Sequence, residues 1–198
     1  YNSIVAFTPD GNMNDTVYSK RRPVPFGEYV PMRPLIETLI PPLASLVLSS
    51  DDVDAGEGSK IIDAGGIKLG GLICFDSIYE QLTYESVRDG AEIICLSTND
   101  SWFSDSAALY MHNAQAQLRA IENRRYVARA ANTGISTVIN SRGEVIGELG
   151  PLVEGRVTAT AYANDSMSLC TVIGSGFVYA LLACALVLIV ENFVNKIK

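Results

Sequence analysis

Cys74 has the residue type and the position of a nucleophile. It closes the apolar run Gly-Gly-Leu-Ile-Cys at residues 70–74, and Phe75 and Asp76 follow directly. A short apolar run bounded by glycines predicts a buried strand, which would place the sulfur where that strand gives way to a loop. Because a lone cysteine is more often a small core residue, a catalytic role for Cys74 depends on partners elsewhere in the chain.

A proline-rich segment upstream offers two partners for a thiolate. Lys20 precedes the loop at residues 23–34, whose prolines restrict the backbone, and Glu28 lies within it. A lysine lowers the pKa of a neighbouring thiol and can hold an oxyanion, and a carboxylate can orient the lysine or relay protons. The backbone N–H of Phe75 is a second oxyanion donor. We expect Lys20 to lie on an exposed loop and to contribute little to packing.

The elements that would position these residues alternate between strands and helices, which predicts an α+β fold. A polar loop that contains Asn99, Trp102 and Phe103 separates a buried strand from a long helix. The acidic stretch at 49–60 predicts a solvated loop. The hydrophobic pattern predicts strands at about 2–8, up to Lys20, 91–96, 127–131, 135–140, 145–149 and 156–163, and helices at 78–88 and 106–126.

The remaining chemically active side chains are weaker candidates. His112 lies one position off the apolar stripe of the helix at 106–126, which favours a helix-surface or boundary position over a ligand or a base. Cys95 falls within an apolar strand and is expected in the core. Arg124 and Arg125 are expected on a solvated or ion-paired helix face. The cysteine spacings do not fit a zinc site, so we predict no metal and no cofactor.

Composition narrows the classes of partner. The net charge of −7, with no basic stripe interleaved with aromatic residues, argues against nucleic acid. Residues 172–194 are almost uncharged and close to the roughly 20 residues that cross a bilayer core, so we predict a transmembrane helix there, with a buried core helix as the alternative. The lysines at 195–198 predict a short cytoplasmic tail and place the domain at 1–168 on the other side of the membrane.

Four ordered motifs resemble the nitrilase, or carbon-nitrogen hydrolase, superfamily. They are Lys-Arg-Arg-Pro-Val-Pro-Phe-Gly-Glu at 20–28, Ile-Cys-Phe-Asp at 73–76, Asn-Asp-Ser-Trp-Phe at 99–103, and Arg-Ala-Ile-Glu-Asn at 119–123 with Asn-Thr-Gly at 132–134. The form Val-Pro-Phe-Gly-Glu-Tyr-Val-Pro, the aromatic motif and the predicted terminal helix together most resemble the bacterial apolipoprotein N-acyltransferases. The resemblance extends over nearly the whole chain.

This resemblance implies a nitrilase-like αββα sandwich, with its N-terminal part missing, on the periplasmic side of the bacterial inner membrane. It implies a Glu-Lys-Cys triad in which Lys20 is the lysine, Cys74 the nucleophile and Glu28 an additional essential glutamate. The implied reaction takes a fatty acyl chain from a membrane phospholipid, holds it as a cysteine thioester and passes it to the N-terminal amine of the diacylglyceryl cysteine of an apolipoprotein. The candidates that it implies for the substrate pocket are Asp76, Asn99, Trp102 and Phe103.

Two departures from the family pattern bear on activity. Residues 1–19 contain no glutamate, so the triad glutamate, the general base, is missing, and Phe75 and Asp76 stand where the family commonly has Tyr-Glu. The chain also opens with a strand-like segment and no leader, so we expect a fragment of a longer protein that is inactive alone. Two alternatives stay open: a nitrilase-type carbon-nitrogen hydrolase, or amidase, and a catalytically dead, membrane-anchored binding domain.

Overall fold

The computed structural model describes residues 1–44 and 52–197 and shows an α+β fold around a six-stranded sheet. The start of the predicted acidic loop, at 49–51, and residue 198 of the predicted tail lie outside the described residues. The strands are β1 Ser3–Ile4, β2 Tyr18–Ser19, β3 Ile62–Asp63, β4 Lys68–Ile73, β5 Ile93–Asn99, β6 Tyr126–Asn132, β7 Ser136–Ile139 and β8 Val145–Leu149. The helices are α1 Arg33–Leu39, α2 Pro41–Ala44, α3 Glu80–Arg88, α4 Ala107–Asn123, α5 Leu169–Ile173 and α6 Gly176–Ile197.

The six-stranded sheet runs in the order β3-β4-β5-β6-β7-β8. Strands β4, β5 and β6 are parallel, and the outer pairs are antiparallel. Parallel neighbours require crossover connections, which α3 and α4 supply, and both helices pack on the same face of the sheet. Since β4 and β5 are parallel, their carboxyl ends meet at one edge, where Cys74 and the loop after Asn99 come together.

Strand β4 contributes to a core on each face of the sheet. Leu72 packs beneath α3 and α4, whereas Ile73 points to the opposite face and packs with Tyr18 of β2, as the alternation of side chains along a strand requires. A Cβ at Gly71 would lie 2.7 Å from the Tyr18 ring, so glycine allows the β1–β2 sheet this close approach. The described residues therefore form a helical layer, the six-stranded sheet and a two-stranded sheet of the expected sandwich.

The predicted strand at 156–163 is wrong, because that segment forms no strand. The chain that follows it is instead tied to the rest of the fold through side chains. Arg125 is 1% exposed and donates to the carbonyl oxygens of Ala91, at 2.8 Å, and Ser166, at 2.7 Å. The expectation of a solvated or ion-paired face is therefore wrong for Arg125. Burial lowers the pKa of this guanidinium, and backbone carbonyls supply the hydrogen bonds that a buried cation needs.

The C-terminal segment is helical with one interruption. Gly174, with a φ of 55°, separates α5 from α6 within the predicted span at 172–194. Helix α6 exposes large apolar side chains, among them Phe177, Leu181 and Leu186. In the part of the chain that the structure describes, no helix combines the length and the apolar character needed to cross a membrane. The span at 172–194 stays a prediction.

Candidate active site

Cys74 begins a single 3-10 turn, Cys74–Ile78, directly after β4, and we call this segment the nucleophile turn. Its φ of 49° lies in the left-handed region, which non-glycine residues seldom occupy. Such a backbone costs about 1–3 kcal/mol and is concentrated at functional sites. The side chain is half-buried, and Sγ lies 4.0 Å from the carbonyl oxygen of Asn99. The predicted strand end is therefore a sharp corner with an accessible sulfur.

Lys20 directly follows β2 and is 1% exposed. Its Nζ lies 2.7 Å from Oε2 of Glu28, and the same oxygen accepts a hydrogen bond from the N–H of Val24 at 2.8 Å. The expectation of an exposed-loop lysine with little part in packing is wrong. A buried ammonium requires a charged partner, and the proline-rich loop folds back so that Glu28 provides one.

Asp76 joins the lysine segment to the nucleophile turn. It is fully buried, and its carboxylate accepts hydrogen bonds from the Tyr18 hydroxyl at 2.8 Å and from the N–H groups of Arg22 at 2.8 Å and Ile73 at 3.1 Å. Burial, together with the nearby Asp76 carboxylate, raises the pKa of Tyr18. Asp76 is thus not on a pocket wall, where the sequence places it, but beneath the site. Because its carboxylate already accepts these hydrogen bonds in the interior, Asp76 does not face a substrate.

Two cavities meet at Cys74, and Trp102 contributes to both. The larger cavity, of about 440 Å³, is mostly apolar and includes the predicted residues Phe75, Trp102 and Phe103. The smaller, of about 290 Å³, includes Glu28 and Asn99. The other residues of the larger cavity are Val24, Ile78, Ala108, Met111, His112 and Gln115, and those of the smaller are Asn2, Ile73, Ser97 and Thr98.

A buried polar network behind the nucleophile turn was not foreseen from the sequence. His112 is 7% exposed, so the surface or boundary position expected for it is wrong. Its Nδ1 lies 2.9 Å from Oδ1 of Asp100, and Arg129 donates to Oδ2 of the same carboxylate at 2.7 Å. Burial raises the pKa of Asp100, but the hydrogen bond from His112 and the charge of Arg129 outweigh it and lower the pKa to about 2. The sequence feature that could have indicated this network is Asp100, an acidic residue inside the aromatic motif.

The other candidates for metal or thiol chemistry are weak. Cys95 in β5 is half-buried, and burial raises the pKa of its thiol, which disfavours the thiolate. Within residues 1–44 and 52–197, no group of three His, Cys, Asp or Glu side chains is arranged to hold a metal ion.

The sequence profile of the carbon-nitrogen hydrolase family matches residues 1–169, which include the lysine, the nucleophile turn and the buried network. The chain belongs to the carbon-nitrogen hydrolase family. A crystal structure of a carbon-nitrogen hydrolase from Helicobacter pylori G27 has the same fold, with a TM-score of 0.57 and 17% identity over 76% of this chain and 52% of that one.

Two curated relatives narrow the comparison within the carbon-nitrogen hydrolases. A protein of Geobacter metallireducens named apolipoprotein N-acyltransferase is 36% identical over 173 residues, which are 87% of this chain and 32% of that protein. Its namesake from Pasteurella multocida is 32% identical over 166 residues, which are 83% of this chain and 31% of that protein. The chain therefore spans about a third of the length of these relatives.

Proposed function

We propose that this chain is the nucleophile-bearing part of an N-acyltransferase that moves a fatty acyl chain from a membrane phospholipid to the N-terminal amine of the diacylglyceryl cysteine of an apolipoprotein. The observation that carries the proposal is the apolar cavity at Cys74, lined by Trp102, Phe103 and Met111 among others. Each methylene buried there would contribute about 0.8 kcal/mol. The names of the curated relatives support the same reaction.

In the first half-reaction, the Cys74 thiolate attacks the carbonyl carbon of the phospholipid ester. The C–S bond forms, the C–O bond breaks, and the lysophospholipid oxygen leaves with the proton that the thiol gave to the general base. The Lys20 ammonium and the Phe75 N–H stabilise the oxyanion. We assign the general base to a glutamate outside this chain, because the family resemblance makes Glu28 the additional glutamate beside the lysine, and its Oε2 accepts hydrogen bonds from Lys20 and the Val24 N–H.

In the second half-reaction, the free amine of the apolipoprotein attacks the thioester carbonyl. The C–N bond forms, the C–S bond breaks, and the thiolate of Cys74 is restored. The proton that the amine loses passes to the same base. A thioester suits this transfer because it splits one difficult exchange between an ester and an amine into two easier steps.

Both partners in this proposal carry fatty acyl chains, so the site would work at a bilayer surface. We place the protein at the bacterial inner membrane, with residues 1–168 on the periplasmic side. The exposed apolar side chains of α6, such as Phe177 and Leu181, favour an apolar environment.

The test is an acyl-transfer assay on the full-length protein with a phospholipid and a diacylglyceryl peptide, followed by mass spectrometry. We expect an N-acylated peptide and an acyl group on Cys74. Cys74→Ser should abolish both, whereas Cys170→Ser, a change at an exposed cysteine, should leave them intact. Free acid or ammonia without an acylated peptide would indicate a hydrolase. No acyl adduct and no turnover would indicate a binding domain.

A further inference from the structure

Two side chains that the proposed mechanism does not use form hydrogen bonds to the carbonyl oxygen of Cys74. The Ser77 hydroxyl donates to it at 2.8 Å, and Nε2 of His112 lies 3.3 Å away. Nε2 also lies 3.0 Å from Oγ of Ser77, so the three atoms form a closed triangle. All three residues are in or against the nucleophile turn.

This carbonyl belongs to the same peptide as the Phe75 N–H. A trans peptide is planar and directs its C=O and N–H to opposite sides, so fixing the Cys74 oxygen also fixes the direction of the Phe75 N–H. Hydrogen bonds to the carbonyl polarise the amide and strengthen its N–H as a donor. We propose that His112, together with Ser77, is a positioning residue that aims and polarises the Phe75 N–H for the oxyanion. The proposal rests on the proposed acyl-transfer function.

Both ring nitrogens of His112 face hydrogen-bonding partners. The Ser77 hydroxyl gives its one proton to the Cys74 carbonyl, so its oxygen accepts from Nε2. Nδ1 faces the Asp100 carboxylate at 2.9 Å. The charged groups around His112 and Ser77 are Asp100, Arg129, whose Nη2 lies 3.3 Å from Nδ1, and Arg119, which donates to the Ser77 carbonyl at 3.4 Å.

Two reactions of Cys74 distinguish two possible roles of His112: directing the Phe75 N–H, or stabilising the nucleophile turn as a whole. Acylation by p-nitrophenyl butyrate passes through an oxyanion, whereas alkylation by iodoacetamide does not. Both rates are measured on the full-length protein by mass spectrometry of the peptide that contains Cys74. The ratio of the two rates corrects for changes in thiolate fraction and access.

Two substitutions at His112 test its two ring nitrogens separately. His112→Gln keeps a nitrogen donor at the place of Nε2, and His112→Asn keeps one at the place of Nδ1. We expect His112→Asn to lower acylation about 10- to 100-fold while alkylation changes little, and His112→Gln to retain most of the acylation. Ser77→Ala provides a second variant with the same selective loss of acylation.

Several outcomes would overturn the inference. One is an equal loss of both reactions in His112→Asn and Ser77→Ala, which would indicate only structural support. Another is an unchanged ratio in all the variants, and a third is a wild-type Cys74 that is alkylated but never acylated. If Cys74 is acylated by the p-nitrophenyl ester with the expected ratios but not by phospholipid, the proposed acyl donor is wrong and the role of His112 stands.

Discussion

The burial of Lys20 changes what its removal should do. Lys20→Met leaves Glu28 without its ion-pair partner. Breaking a buried pair on one side typically costs 3–5 kcal/mol, and because Glu28 keeps some contact with solvent we expect a loss of about 2–4 kcal/mol in the free energy of unfolding, measured by urea denaturation. Acyl transfer should be lost as well.

A double variant distinguishes the two roles of this lysine. Lys20→Met with Glu28→Gln removes both charges, so stability should largely recover while acyl transfer stays absent. Recovery of transfer along with stability would show that Lys20 acts only through the fold.

Asp100 should give the protein an acid-sensitive step. Its pKa is about 2 in the folded state and about 4 in an unfolded chain. The stabilisation is therefore complete above pH 4 to 5 and is lost as the pH falls toward 2, an effect of about 2–3 kcal/mol. Asp100→Asn should lack this step when unfolding is followed from pH 6 to 2. Asp105→Asn, at an exposed aspartate of the same loop, should keep it, and identical profiles for all three proteins would contradict the assignment.

At the scale of elements, the turn between β6 and β7 is shaped by Asp100. A Cβ at Gly134 would lie 2.1 Å from Oδ2 of Asp100, so Gly134→Ala must displace the carboxylate that holds His112 and Arg129. We expect a loss of about 1–3 kcal/mol in stability and slower acylation of Cys74. Gly150→Ala is the matched control, because no atom lies within 4 Å of the added carbon. Equal melting temperatures for the two variants would show that the turn yields without cost.

The elements with strong periodicity were predictable from the sequence, and the partners of buried polar groups were not. Strands β4 and β5 and helices α3 and α4 follow their apolar patterns to within a few residues. The burial of His112 and Arg125 depends on groups far along the chain. His112, for example, meets Ser77 35 residues earlier. The segment at 156–163 has a strand-like pattern, but it pairs with no strand in the described ranges 1–44 and 52–197. Periodicity alone does not show whether a partner strand is present.

The site residues show the same division. The sequence motifs identified Cys74, Glu28, Asn99 and Trp102, and the structure brings these four together around one cavity. It separates Asp76 from the cavities because the carboxylate is occupied by backbone and hydroxyl donors. A motif records which residues occur together but not whether a side chain faces substrate or the interior.

At the scale of the whole molecule, this chain spans about a third of the relatives that it matches. We predict that the 198-residue chain alone shows no acyl transfer in the mass-spectrometric assay, while the full-length protein does. The physical reason is that the proposed general base lies outside these residues. Transfer by the isolated chain, removed by Cys74→Ser, would instead make Glu28 the base.

The Asp76 carboxylate fixes the two segments that carry Lys20 and Cys74, whereas the wall that α4 contributes to the apolar cavity does not depend on it. By tying the backbone at Arg22 to the backbone at Ile73, it makes the spacing of lysine and cysteine a property of the scaffold. Ala108 and Met111 line the apolar cavity from α4 and take no part in that linkage. Under the proposed function, substitutions there would change the shape of the acyl chain that fits while the reacting groups keep their places, so single changes on one helix face would alter the acyl preference.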